Sequence, residues 1–83
     1  LLVQRYRPLD RLIVDNLMQD ILAEAESLAI KNSERGIGRS TADITIEEFF
    51  DGAEDYNTPH NRAAVVLHYR VTYDRHFRAI HGN

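Results

Sequence analysis

The sequence has no cysteine and no tryptophan, and it contains only two prolines and four glycines. Without cysteine, the chain can form neither a disulfide nor a thiolate metal site. Its longest uninterrupted apolar run, residues 63–67, is far shorter than the roughly 20 residues that span a bilayer. No signal peptide is recognisable, because Gln4, Arg5 and Arg7 directly follow the apolar residues 1–3. We therefore expect neither a disulfide-stabilised scaffold nor a membrane protein.

The charge and the length also limit the classes of function that the sequence allows. Ten basic and thirteen acidic side chains give the 83 residues a net charge of −3, so the chain has no overall attraction to nucleic acid. The length fits one domain, and a domain this small gains stability from neighbouring subunits. Because the first residue is Leu rather than Met, we expect the chain to be the C-terminal part of a longer protein.

The spacing of apolar residues predicts one long helix early in the chain. Residues 9–31 repeat apolar side chains at three- and four-residue steps, which is typical of an amphipathic helix. Residues 1–7 predict a short strand that Pro8 ends, since proline lacks the N–H that a β-ladder needs. Apolar and polar side chains alternate over residues 42–47, which predicts a second strand.

Strict alternation over residues 63–73 predicts the clearest strand, with the odd-numbered side chains towards the core. The turn-rich residues 51–61 would connect it antiparallel to the second strand. The expected fold is therefore α+β, in the order strand-helix-strand-strand, with one long amphipathic helix on one face of an antiparallel sheet. Residues 1–74 would form a single α+β domain, and residues 75–83 a C-terminal arm. The predicted core consists of Leu17, Ile21, Leu22, Leu28, Ile44, Ile46, Val65, Leu67 and Val71.

No catalytic, metal or cofactor motif is recognisable. The four histidines lack the pair spacing of a helix-borne metal site. The loop that begins at Asp51 has Arg62 where a calcium loop needs glutamate. Glu47 and Glu48 are adjacent on a predicted strand and would point to opposite faces. We therefore expect a non-enzymatic protein that binds no metal and no cofactor.

Charges of opposite sign lie on separate segments, which points to contacts between subunits. An acidic segment on one subunit could face basic residues on the next, and the aromatic ring near the C-terminus could anchor the contact. The predicted interface residues are Glu47, Glu48, Asp51, Glu54, Asp55, Arg70, Arg75, Phe77 and Arg78. A second basic stretch, Lys31, Arg35 and Arg39, leaves open a small nucleic-acid-binding or regulatory domain that uses the loop of residues 31–39.

Three segments together resemble a known family. They read LDRLIVDNLMQDILAEAESL, ADITIEEFFDGAEDYN and RAAVVLHYRVTYDR. In this order they are similar to the second half of bacteriophage tail terminator proteins, also called minor tail or tail-completion proteins. The final strand of that family has the form ltYrVtY, which Leu67, Tyr69, Val71 and Tyr73 match.

The resemblance implies a structural protein of the virion, assembled in the host cytoplasm. Tail terminators form a homo-oligomeric ring, usually of six copies, on the head-proximal end of the tail tube. The implied partners are the tail tube protein and the head-completion or connector protein, and the implied role is to stop tube growth and join the tail to the head. Another phage neck or baseplate protein with a similar unit would show the same pattern.

Overall fold

Helices make up most of the chain. The computed structural model describes the backbone of residues 2–40 and 43–82, and side chains from residue 16 onward within those ranges. Helix α1 spans Leu2–Arg35, the short helix α2 spans Ile46–Phe49, and helix α3 spans Pro59–His81. A single 3-10 turn, Glu54–Tyr56, lies between α2 and α3. No strand occurs within the described ranges.

The predicted α+β fold is wrong because the first and third predicted strands lie in helices and no described residue of the second forms a strand. Residues 2–7 belong to α1, which continues through Pro8, and residues 63–73 belong to α3. In the second predicted strand, Ile46 and Glu47 begin α2, whereas Ala42 lies outside the described residues. Residues 75–81, the larger part of the predicted C-terminal arm, continue α3.

The start of α3 explains why residues 63–73 form a helix. Thr58 has extended backbone angles, and its side chain accepts a hydrogen bond from the Asn61 amide at 3.2 Å. Pro59 follows as the first helical residue, where its missing N–H costs nothing. Val65, Tyr69 and Tyr73 recur every four residues, so they form one buried stripe on a helix as readily as they fit alternation. Capping and this stripe together outweigh the strand preference of the β-branched and aromatic residues.

Helices α1 and α3 run side by side in the same general direction. His68 contacts Glu26, and His81, further along α3, contacts the carbonyl oxygen of Ser33, further along α1. Residues 36–58 therefore lead back from the end of α1 to the start of α3. At the standard rise, the 34 residues of α1 measure about 51 Å and the 23 residues of α3 about 35 Å, so α3 accompanies only part of α1.

The core lies between α1, α3 and the connecting segment. Two alanines on α1, Ala25 and Ala29, are fully buried and let the aromatic rings of α3 approach that helix closely. The buried apolar residues are Ile21, Ala25, Ala29, Ile46, Phe50, Ala53, Val65, Tyr69 and Tyr73.

The predicted core is correct in part. Ile21, Ile46 and Val65 are buried. Four others, Leu17, Leu22, Leu28 and Ile44, are partly buried and pack against the core. The prediction is wrong for Leu67 and Val71, whose exposed fractions are 64% and 52%. A strand would bring every second residue to the core, but a helix turns residues 67 and 71 away from it.

Candidate protein-binding faces

The side of α3 that points away from the core carries an unusual surface. Leu67 and Val71 are more than half exposed, and they lie in line with Ala64, Arg75 and Arg78 at three- and four-residue steps. We call these five residues the outer face. The apolar half of this face continues onto Leu22 of α1 and the His68 ring, which together line a shallow groove with Ala64, Leu67 and Val71.

The other half of the outer face is basic. A second groove, which also begins at Val71, is lined by Arg75, Arg78, Asp74 and Ala79. Within the described part of the chain, neither Arg75 nor Arg78 forms an ion pair. Both guanidinium groups are therefore available to an external carboxylate, and they could bind it in a bidentate manner.

Among the described residues that line this basic groove, Asp74 is the one acidic group, and Arg39 is its main partner. The Arg39 Nε lies 2.7 Å from Asp74 Oδ1, and its second nitrogen, Nη2, lies 3.1 Å from Oδ2. These hydrogen bonds are the main reason that the pKa of the Asp74 carboxyl is lowered and the pKa of Arg39 is raised. The pair is largely exposed, so its chief effect is on the surface charge rather than on stability.

The turn after α1 places Arg39 beside α3. Gly36 has a φ of +70°, and the amides of Gly36 and Ile37 donate to the carbonyl oxygens of Ser33 and Asn32 at 3.2 and 3.1 Å. This pattern is a Schellman motif, which ends the helix and reverses the chain. The residues that follow this motif, including Gly38 and Arg39, contact α3.

Tyr69 then holds the next residues of this turn. Its hydroxyl donates to the Gly38 carbonyl oxygen and accepts a hydrogen bond from Asn32 Nδ2 at 2.8 Å. Burial is the largest cause of the raised pKa of Tyr69, so the phenol stays protonated and can donate this bond. Gly38 has a φ of +76°, and a Cβ there would lie 2.7 Å from Asn32 Nδ2, so only glycine fits.

The acidic segment lies within α2, the 3-10 turn and the residues between them, and its members are Glu47, Glu48, Asp51, Glu54 and Asp55. Glu47 is bound by Arg62 near the start of α3, with 2.9 Å between Oε1 and Nη2. Hydrogen bonding to its own backbone amide, followed by the bond to Arg62, lowers the pKa of Glu47. The other four are exposed and form no ion pair within the described residues. Phe49 and Tyr56 are only partly buried between them, so this segment also offers aromatic surface.

The outer face and the acidic segment lie on different sides of α3. Arg62, which holds Glu47, and Val71 are nine residues apart, which places them about 180° apart around the helix axis. Arg62 and Arg75 are also separated by about 20 Å along the axis. Arg75 therefore cannot reach Glu47 within one chain.

The structure brings together only some of the predicted interface residues. Arg75 and Arg78 share the outer face, and the acidic residues form one segment. Arg70 is partly buried, with its Nε inaccessible to solvent, and Phe77 packs against the core and stacks on Tyr73, with 5.9 Å between ring centroids. Phe77 is therefore partly engaged within the chain and, like Phe49 and Tyr56, keeps only part of its ring accessible.

Sequence reasoning missed the exposed pair Leu67 and Val71 and the ion pair between Arg39 and Asp74. The step of four from Val65 to Tyr69 to Tyr73, together with the Thr58-Pro59 cap, was the signal that could have located Leu67 and Val71. No sequence signal links Arg39 to Asp74, which are 35 residues apart.

Other kinds of site find little support in the described residues. No group of three or more metal-ligating side chains comes together there, and no helix among them is both long and apolar enough to cross a membrane. The predicted basic loop of residues 31–39 is only partly a loop, because Lys31 and Arg35 lie in the last turns of α1, where both are exposed. Arg39 lies in the turn that follows and is paired with Asp74.

Comparison with known proteins adds no relative. The chain matches no protein-family model, no curated protein and no solved structure.

Proposed function

We propose that this chain is a structural assembly module that joins copies of itself head to tail. The outer face of α3 on one copy would bind the acidic segment of the next copy. The observation that carries this proposal is that exposed Leu67 and Val71 lie in line with the Arg75 and Arg78 guanidinium groups, whereas the acidic segment lies on the other side of the same helix.

Two physical terms support a second copy as the occupant of the outer face. Burying Leu67 and Val71 against the partly exposed Phe49 and Tyr56 would remove apolar surface from water, at about 25 cal/mol per Å². The charges are complementary as well, since one surface is basic and the other acidic. Charge complementarity of this kind fixes the register of a contact and excludes wrong partners.

The placement of the two surfaces bears on the symmetry of the assembly. A two-fold dimer uses the same patch on both subunits, whereas two different patches give a head-to-tail contact that repeats. Because the outer face and the acidic segment are different surfaces on different sides of α3, we expect a closed ring or a filament rather than a two-fold dimer.

The tail terminator role is a more specific form of this proposal. The ltYrVtY pattern that suggested it lies in α3 and not in a strand, so its remaining support is the expected mode of assembly. A ring of six copies that binds tail tube protein would support it. An assembly that binds neither tube nor connector protein would support the general module alone.

The mass of the protein in solution tests the general proposal. Multi-angle light scattering on wild type should give a mass that rises with protein concentration and falls with added salt. Val71→Asp should reduce this association, because it buries a carboxylate opposite acidic residues. Ile80→Asp is the matched control, since Ile80 is 49% exposed on the same helix and, nine residues after Val71, lies about 180° away from it around the helix axis. A wild type that stays monomeric at every concentration would falsify the proposal.

Charge reversal tests the pairing of the two surfaces. The double variant Arg75→Glu, Arg78→Glu should impair assembly at low salt. Adding Asp51→Lys and Glu54→Lys should partly restore it, because the signs of both surfaces are then exchanged. If the basic loop instead binds nucleic acid, wild type will be retained on DNA in a salt-dependent manner, and Lys31→Glu with Arg35→Glu will abolish retention.

A further inference from the structure

Asp74 poses an electrostatic problem for the proposed contact. It lies three residues after Val71 and four before Arg78, inside the basic groove of the outer face. A free carboxylate there would face the carboxylates of the incoming acidic segment. Like charges that meet in a contact oppose it, so the groove needs this charge to be compensated.

Arg39 supplies the main compensation from a different part of the chain, beside weaker contributions from Arg78 and Arg70 on α3. Its guanidinium binds both carboxylate oxygens of Asp74, while the Arg39 side chain itself stays 59% exposed. With Arg39 in place, the group formed by Asp74, Arg75, Arg78 and Arg39 carries two net positive charges instead of one. The arginine is brought there by the turn that Gly36, Gly38 and Tyr69 fix.

We infer that Arg39, paired with Asp74, sets the positive charge of the outer face and so selects an acidic partner segment. The inference rests on the proposed head-to-tail contact between copies of the chain. It assigns Arg39 a role in specificity that neither its position in a loop nor the sequence around it indicates.

The alternative is that the ion pair between Arg39 and Asp74 only stabilises the fold. The two roles then predict effects of Asp74→Asn on association that differ in sign. If the ion pair only ties the loop to α3, Arg39→Gln and Asp74→Asn break the same bond and should do the same harm. If the pair sets the charge of the face, Arg39→Gln removes one positive charge and weakens association. Asp74→Asn then removes the negative charge and strengthens it, and the double variant, whose net charge equals that of wild type, restores it.

The experiment is sedimentation equilibrium of full-length wild type and the three variants at low and moderate salt. We expect Arg39→Gln to weaken self-association about two- to five-fold at low salt and Asp74→Asn to strengthen it by a similar factor. The double variant should lie close to wild type, and the differences should shrink as salt is added. Arg35→Gln is the matched control, since it removes the same charge from an exposed residue at the end of α1 and should leave association unchanged.

The outcomes separate this inference from the proposed function. If wild type associates but both single variants weaken it equally and the double variant is no better, the ion pair is a structural bridge and the inference is wrong. If wild type associates and none of the variants differs from it, the inference is likewise wrong while the proposed function stands. If wild type never associates, both are wrong. Urea denaturation of each variant shows whether a loss of association follows a loss of folding.

Discussion

The inner and outer faces of α3 both carry large apolar side chains, but these side chains differ in their exposure to solvent. On the inner face, Val65, Tyr69 and Tyr73 are buried against α1 and the connecting segment. On the outer face, two residues of comparable hydrophobicity, Leu67 and Val71, are more than half exposed. A single exposed leucine is ordinary on a protein surface, and the alignment of two exposed apolar residues with charged ones is what supports the contact proposed above.

The polar groups of the two faces differ in the same way. The Tyr69 hydroxyl on the inner face is bound within the chain, to Asn32 and Gly38. The guanidinium groups of Arg75 and Arg78 on the outer face line an open groove. The inner face thus serves the fold of one chain, and the outer face has chemistry suited to another molecule.

The largest effect should come from removing the main aromatic side chain of the inner face. Tyr69→Ala deletes a fully buried ring that stacks on Tyr73, with 6.2 Å between ring centroids, and it also removes the hydroxyl that holds the turn after α1. Large-to-small changes of aromatic residues in cores cost about 3–5 kcal/mol, so this variant should be severely destabilised or unfolded. Urea denaturation followed by circular dichroism measures the change. A midpoint near that of wild type would mean that Tyr69 is not in the core.

Part of this arrangement could be predicted from the sequence. The apolar stripe over residues 9–31 predicted a helix, and that range lies inside α1. Ile21 was placed correctly in the core by this helical stripe, and Ile46 and Val65 were placed correctly although they lie in helices rather than in the predicted strands. Arg75 and Arg78 were correctly placed on the surface, since charged side chains are seldom buried.

The rest of the arrangement depended on whether residues 63–73 follow the two-residue period of a strand or the 3.6-residue period of a helix. Residues 63–73 alternate in hydrophobicity and are rich in β-branched and aromatic residues, which favours a strand. The same residues carry apolar side chains four apart, which fits a helix equally well. Because the two periods differ in where they place Leu67 and Val71, the wrong choice assigned these two exposed residues to the core. The position of Arg39 next to Asp74 followed only from the return of the connecting segment.

A smaller loss of stability is expected when the Tyr69 hydrogen bonds are removed but its ring is kept. Tyr69→Phe keeps the ring but removes the hydroxyl, so the Gly38 carbonyl oxygen loses its donor and Asn32 Nδ2 its acceptor. Leaving such groups without a partner costs about 1–3 kcal/mol. Urea denaturation should give a loss in this range, well below that of Tyr69→Ala. Faster hydrogen exchange confined to the turn of residues 36–40 would show that the hydroxyl holds this turn, whereas a loss equal to that of Tyr69→Ala would contradict the separation.

The smallest effect on folding should come from the outer face. Leu67→Ala removes a side chain that is 64% exposed, so the free energy of unfolding should change by less than about 0.5 kcal/mol. The same variant should weaken self-association at equal salt and protein concentration, because Leu67 would be buried only when the next copy binds. A loss of stability as large as that of a core substitution would show that residue 67 faces the core and would remove the distinction between the two faces. Unchanged stability together with unchanged association would leave the two faces distinct but would deny the outer face its role as a contact surface.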